Sequence, residues 1–102
     1  MNRELLELAA KAAGIKIRWQ SYGNYFVICD IDDEGIEAVW NPILDDGDAL
    51  RLAVKLKMTL GVGVARGDAG EATEFDLCHR DPCAATRRAI VRAAAEIGRN
   101  MK

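Results

Sequence analysis

Three groupings of side chains in this sequence have types and spacings that could support chemistry. Asp45, Asp46 and Asp48 crowd into WNPILDDGD at residues 40 to 48. With an arginine brought in from elsewhere, they could form a small-ligand or metal site beside Trp40. Cys78, His79 and Cys83, with Cys29 as a fourth donor, are zinc-ligand types. Their C-H-x3-C spacing matches none of the standard zinc arrangements, so no metal is expected there. Arg88, Arg92 and Arg99 recur at helical spacing and could follow a row of phosphates.

Other candidates are weaker. Asp30, Asp32, Asp33 and Glu34 lack the alternating ligands and closing glutamate of a calcium loop, and read as a solvated acidic turn. Cys83 sits near a helix start and is a candidate reactive thiol, but one histidine four residues away does not make a hydrolase. The sequence has no serine elbow, no glutamate-histidine zinc helix and no dedicated acid-base pair. The inventory leans away from an enzyme, and neither a catalytic residue nor a cofactor is expected.

Placing these groups is the work of the elements around them. Asn2 to Ala13 carries Leu5, Leu8, Ala9, Ala12 and Ala13 on one side of a helical wheel, with Asn2 as N-cap and Gly14 as stop. Ile15, Ile17 and Trp19 then alternate with Lys16, Arg18 and Gln20, and Gly23-Asn24 separates them from a β-rich run at Tyr25 to Ile31, which predicts a hairpin. Pro42 holds Asn41 extended, and Asp48 is expected to cap a helix starting at Ala49. On that helix Ala49, Leu50, Leu52, Ala53, Val54 and Leu56 are expected to face inward, and Arg51 and Lys55 outward. Leu60 to Ala65 reads as one strand whose face of Gly61, Gly63 and Ala65 lets an alanine-rich helix lie close.

A turn at Arg66 to Gly70 leads to a strand at Ala72 to Leu77. Asp81 as N-cap and Pro82 as first helical residue then open the strongest helix of the chain, running to about Arg99. Its wheel gathers Thr86, Ala89, Ile90, Ala93, Ala94, Ile97 and Met101 on one side and sets Arg88, Arg92 and Arg99 opposite. Arg87 falls by the apolar sector, beside Val91 and Ala94. A charge there must reach past the helix edge, meet a carboxylate or enter an interface. The expectation is a tie from Arg87 to one of Asp45, Asp46 or Asp48; a subunit contact and an anionic ligand are the alternatives.

The predicted order is α-β-β-α-β-β-α: an α+β fold, a three-layer α/β/α sandwich with about four mainly antiparallel strands. With 102 residues, 50% hydrophobic and 29% charged content and two prolines, a single domain over 1–102 is expected. Net charge is −2, from 16 acids against 14 Lys and Arg, so no global basic field draws in nucleic acid or an anionic membrane. Trp19, Tyr22, Tyr25 and Trp40 accordingly read as core or rim rather than as base-stacking surface. No apolar run approaches the roughly 20 residues of a membrane span, and MNRELLELAAKAAG lacks a signal peptide's apolar core. Three cysteines, an odd number, suit free thiols in a reducing compartment, and a cytoplasmic location is expected.

Two blocks carry a family resemblance. Trp40, Asn41, Pro42, Asp45, Asp46, Gly47, Asp48, Ala49, Leu50 and Leu52 form the first, and Ala84, Ala85, Thr86, Arg87, Arg88, Ala89, Ile90 and Ala93 the second. Together they resemble the phage ABA-sandwich family, small phage and prophage proteins whose function is largely uncharacterised. The resemblance implies a sheet between helices and no established catalytic residues. The expected role is a phage or prophage accessory protein, a non-enzymatic module binding another protein or a second copy of itself. The alternatives are a small-ligand or metal-binding protein or enzyme using the Asp45–Asp48 and Arg87 region, and a nucleic-acid binder using Arg88, Arg92 and Arg99.

Overall fold

The computed structural model describes residues 2–21, 23, 25–28, 38–67, 71–74 and 80–101. The fold is α+β, and among the described residues it has two three-stranded antiparallel sheets flanked by three helices in layers. The first helix, α1 (Asn2–Ala13), buries Leu6, Ala9, Ala10 and Ala13. It stops at Gly14, whose φ of +70° admits the left-handed cap. The N–H of Ile15 then donates to the Ala10 carbonyl at 2.9 Å, satisfying an acceptor the helix leaves open.

The first sheet is a meander of β1 (Ile17–Gln20), β2 (Tyr25–Ile28) and β3 (Ala38–Trp40). Its register places Trp19 opposite Phe26 and Phe26 opposite Trp40, so three aromatics cross one face in a row. The Trp19 and Phe26 rings meet edge to face at 4.9 Å and 68°. Arg3 of α1 sets its guanidinium 4.4 Å from the centre of the Trp19 ring, joining helix to sheet by a cation–π contact.

After the hinge at Asn41 to Asp45 comes α2 (Asp46–Lys55). Lys57 follows its last residues at φ +55°, and the Met58 N–H closes on the Ala53 carbonyl at 2.9 Å. The second meander is β4 (Thr59–Gly61), β5 (Val64–Arg66) and β6 (Glu71–Thr73). The single strand expected at Leu60 to Ala65 is therefore a hairpin. The chain reverses at Val62-Gly63, where Gly63 has φ +73°, a conformation open to glycine at the second turn position. The strand expected at 72–77 is β6, which ends at Thr73 with Glu74 already out of it; 75–79 lie outside the described residues.

The last helix, α3 (Pro82–Arg99), begins as expected: Asp81 Oδ1 accepts from the Ala84 N–H at 3.0 Å, with Pro82 at the first position. It buries Ala85, Ala89, Ile90, Val91, Ala93, Ala94, Ala95 and Gly98, nearly the whole circumference apart from the arginine stripe. It packs on α1, on α2 and on the second sheet. Of the small face expected beneath it, Ala65 is buried and paired with buried Ala72 across β5 and β6, Gly63 is buried with its N–H on Thr86, and Gly61 is exposed. Met101, expected on the apolar side, is 43% exposed. The strand count also differs, since among the described residues each half contributes three strands instead of two.

Candidate functional site

The hinge is a closed hydrogen-bonded knot. Trp40 and Pro42 are buried. Asn41 Oδ1 accepts from the Ile43 and Leu44 N–H groups at 3.1 and 3.3 Å, an Asx turn that reverses the chain. Asp45, with φ −112° and ψ 120°, caps α2 by accepting from the Asp48 N–H at 2.8 Å. The expected cap, Asp48, lies instead in the first turn of the helix. The reason is tertiary: its carboxylate turns inward to accept the Asn41 N–H at 3.0 Å through Oδ2 and the Arg51 guanidinium at 2.7 Å through Oδ1. Its side chain is 10% exposed. Arg51 also lies 3.9 Å from Asp45.

Arg87 reaches this knot from α3. Its Nε donates to the Ile43 carbonyl at 2.8 Å and its Nη1 to Asp46 Oδ1 at 2.5 Å. The side chain is 17% exposed, whereas Asp46 is 74% exposed, so the half facing Ile43 is the better shielded. An exposed ion pair contributes at most about 1 kcal/mol, whereas stranding a shielded carbonyl costs about 1–3 kcal/mol. Arg87→Ala is therefore expected to lower stability by about 2 kcal/mol, and Asp46→Asn by about 0.5 kcal/mol. Urea melts of the two variants check the ratio. Equal losses would mean that the ion pair, rather than the carbonyl contact, holds the helix to the hinge.

With Asp45, Asp48, Arg51 and Arg87 engaged in this way, the hinge acids act as the knot's own acceptors. Among the described residues, no group of three or more His, Cys, Asp or Glu side chains comes together in a way that could hold a metal ion. Cys29, Cys78 and His79 lie outside the described residues. Cys83 is a free, exposed thiol at the start of α3. The arginine stripe is broken up: Arg92 pairs with Glu74 at 2.7 Å, and Arg99 pairs with Glu96 three residues before it on the same helix. Arg88 is exposed. Two of the three stripe cations thus face carboxylates, which weakens a phosphate-tracking surface.

The surface that sequence reasoning missed lies on α2. Ala49, Leu52 and Ala53 are buried as expected, but Leu50 and Val54 point outward, 57% and 68% exposed. The signal was present, because 49, 52, 53 and 56 already make a complete inward stripe at helical spacing and leave 50 and 54 on a second one. Beside them an open groove of about 330 Å³ runs between α2, the β4–β5 turn and the start of α3. Leu50, Leu60, Val62 and Ile90 line it, Asp46 and Arg87 close one end, and Cys83 and Thr86 form the α3 wall. Val62 at the turn is 65% exposed. Thr86 fixes that turn, its hydroxyl accepting from the Gly63 N–H at 3.0 Å while donating to the Pro82 carbonyl at 2.8 Å.

No helix among the described residues is long and apolar enough to cross a membrane. No protein-family model, characterised protein or solved structure matches the chain.

Proposed function

We propose that this chain is a non-enzymatic protein-binding module that docks through the exposed face of α2 and the β4–β5 turn. The observation that carries this reading is that Leu50 and Val62, each more than half exposed, line an apolar groove, and that Val54, also more than half exposed, follows Leu50 one turn along α2. Single exposed aliphatics are ordinary on a protein surface, but a contiguous set beside a groove marks an interaction site. The groove's charged groups, Asp46 and Arg87, are committed to each other, which favours recognition over acid-base chemistry. The resemblance of the 40–52 and 84–93 blocks to phage ABA-sandwich proteins supports placing the module among phage or prophage accessory proteins.

A photo-reactive amino acid in place of Leu50, Val54 or Val62 tests the docking face in cells. A protein-sized adduct is expected from these positions and not from Arg88 on the far side of α3, and excess unlabelled chain should compete it away. Adducts that are equally abundant from Arg88, or that involve small molecules alone, would rule the reading out.

A further inference from the structure

We infer that the partner seated on this face is a second copy of the chain, the two α2 helices running antiparallel across a two-fold axis. The inference rests on the protein-binding reading above and adds the identity and geometry of the partner. Its basis is the order of residues along the exposed stripe. Asp46, Leu50 and Val54 follow one another at intervals of four on one exposed face of α2, and Lys57, exposed, stands two residues past its end in the left-handed turn. From Asp46 to Val54 this is about 12 Å of helix, so the exposed side of α2 runs from an acid through two aliphatics to a base at its end.

Reversing such a stripe maps it onto its own complement. With an axis between Leu50 and Val54, Leu50 of one chain meets Val54 of the other, and the acidic start of each α2 lies beside the basic end of its partner, where Lys57 stands. Neighbouring charges extend the pattern. Asp45 flanks the acidic end, 60% exposed, and Lys55 flanks the basic end, also exposed. A parallel arrangement would set acids on acids and align the helix dipoles, whereas the antiparallel one opposes them. The same patch then serves both subunits, which is what a closed two-fold contact requires. The knot keeps the acidic end in place, since Asp45 caps α2 and Asp46 is held by Arg87. Leu50 and Val54 have no comparable partner on α1 or the first sheet, and both remain open to water.

Sedimentation equilibrium of the purified chain, with two charge-reversed variants, tests this. The wild type is expected at twice the 11.2 kDa chain mass, with the dimer weakening as salt screens the end pairs. L50E/V54E and L50K/V54K are each expected to be monomeric, their self-association weakened at least about 100-fold by like charges facing across the axis. Both substituted positions are exposed, so the variants should keep the wild-type circular dichroism spectrum. Mixed one to one, they should form a heterodimer, because Glu at each position then faces Lys. A wild-type chain that stays monomeric up to about 1 mM overturns the inference, as does a wild-type dimer that both variants retain or that the mixture fails to restore. If the purified chain is monomeric while Leu50 still crosslinks to a different protein in cells, the second copy is excluded and the docking face stands. Loss of both signals removes both.

Discussion

Replacing Gly98 with alanine is expected to destabilise the protein by about 2 kcal/mol, although helix propensity alone would make alanine the better residue by about 1 kcal/mol. The sign turns on one close approach. A Cβ at Gly98 would lie 2.0 Å from the carbonyl oxygen of Leu8 and 2.9 Å from its carbon, well inside van der Waals contact. The obstructing atoms are backbone in the middle of α1, so no rotamer change relieves them. Either α1 moves away from α3 or α3 bends, and both open the packing of buried Ala9, Ala10 and Ala13 against the alanines of α3. Equilibrium urea unfolding reads the result. A Gly98→Ala protein as stable as wild type, or more stable, would mean that the two helices do not cross this closely.

Trp40→Ala should cost more, about 3–5 kcal/mol, the range for deleting a buried aromatic. Trp40 is 2% exposed, ends the aromatic row of the first sheet opposite Phe26, and precedes the Asn41-Pro42 knot. Removing its ring leaves a cavity in the core cluster that it shares with Phe26 of the sheet and Ala49 and Leu52 of α2, and the loss should reach both elements. The chain has two tryptophans, so the emission of the variant reports Trp19 alone. An unfolding midpoint lowered by far less than this range, with native Trp19 emission, would show that the ring is not a central part of the core. Trp40→Phe keeps most of the buried area and is expected to lose less than about half as much.

The parts of the fold that were legible in the sequence are those set by local chemistry. Gly14, Asp81 and Pro82 mark helix ends because the needs of a helix terminus are met by residue type, and they stand where expected. Arg87 was legible for a similar reason: a charge on an apolar arc needs a partner, and the hinge supplied acids. The helix cap in DDGD was not legible, because Asp45, Asp46 and Asp48 are alike in type. Only the inward pull of the Asn41 N–H and Arg51 on Asp48 decides among them. The strand β3 has three residues, too few for an alternation of period two to register, whereas β6 stands where the alternation from Ala72 placed a strand. The β4–β5 hairpin escaped because a two-residue turn preserves the parity of an alternating pattern, so Leu60 to Ala65 still reads as one strand. The outward stripe of α2 escaped because its Leu and Val are the same types as those facing inward.

The position of α3 also bears on the order in which the molecule can assemble. This helix touches α1, α2 and the second sheet, and its closest neighbour along the core, α1, lies some eighty residues earlier in the chain. Contacts that distant must close a long loop before they stabilise anything, and chains dominated by them fold slowly. Until Pro82 to Arg99 has left the ribosome, the alanine faces of α1 and the second meander have nothing to close upon. Docking of α3 is therefore expected to come late in folding, sealing α1 and the second meander together.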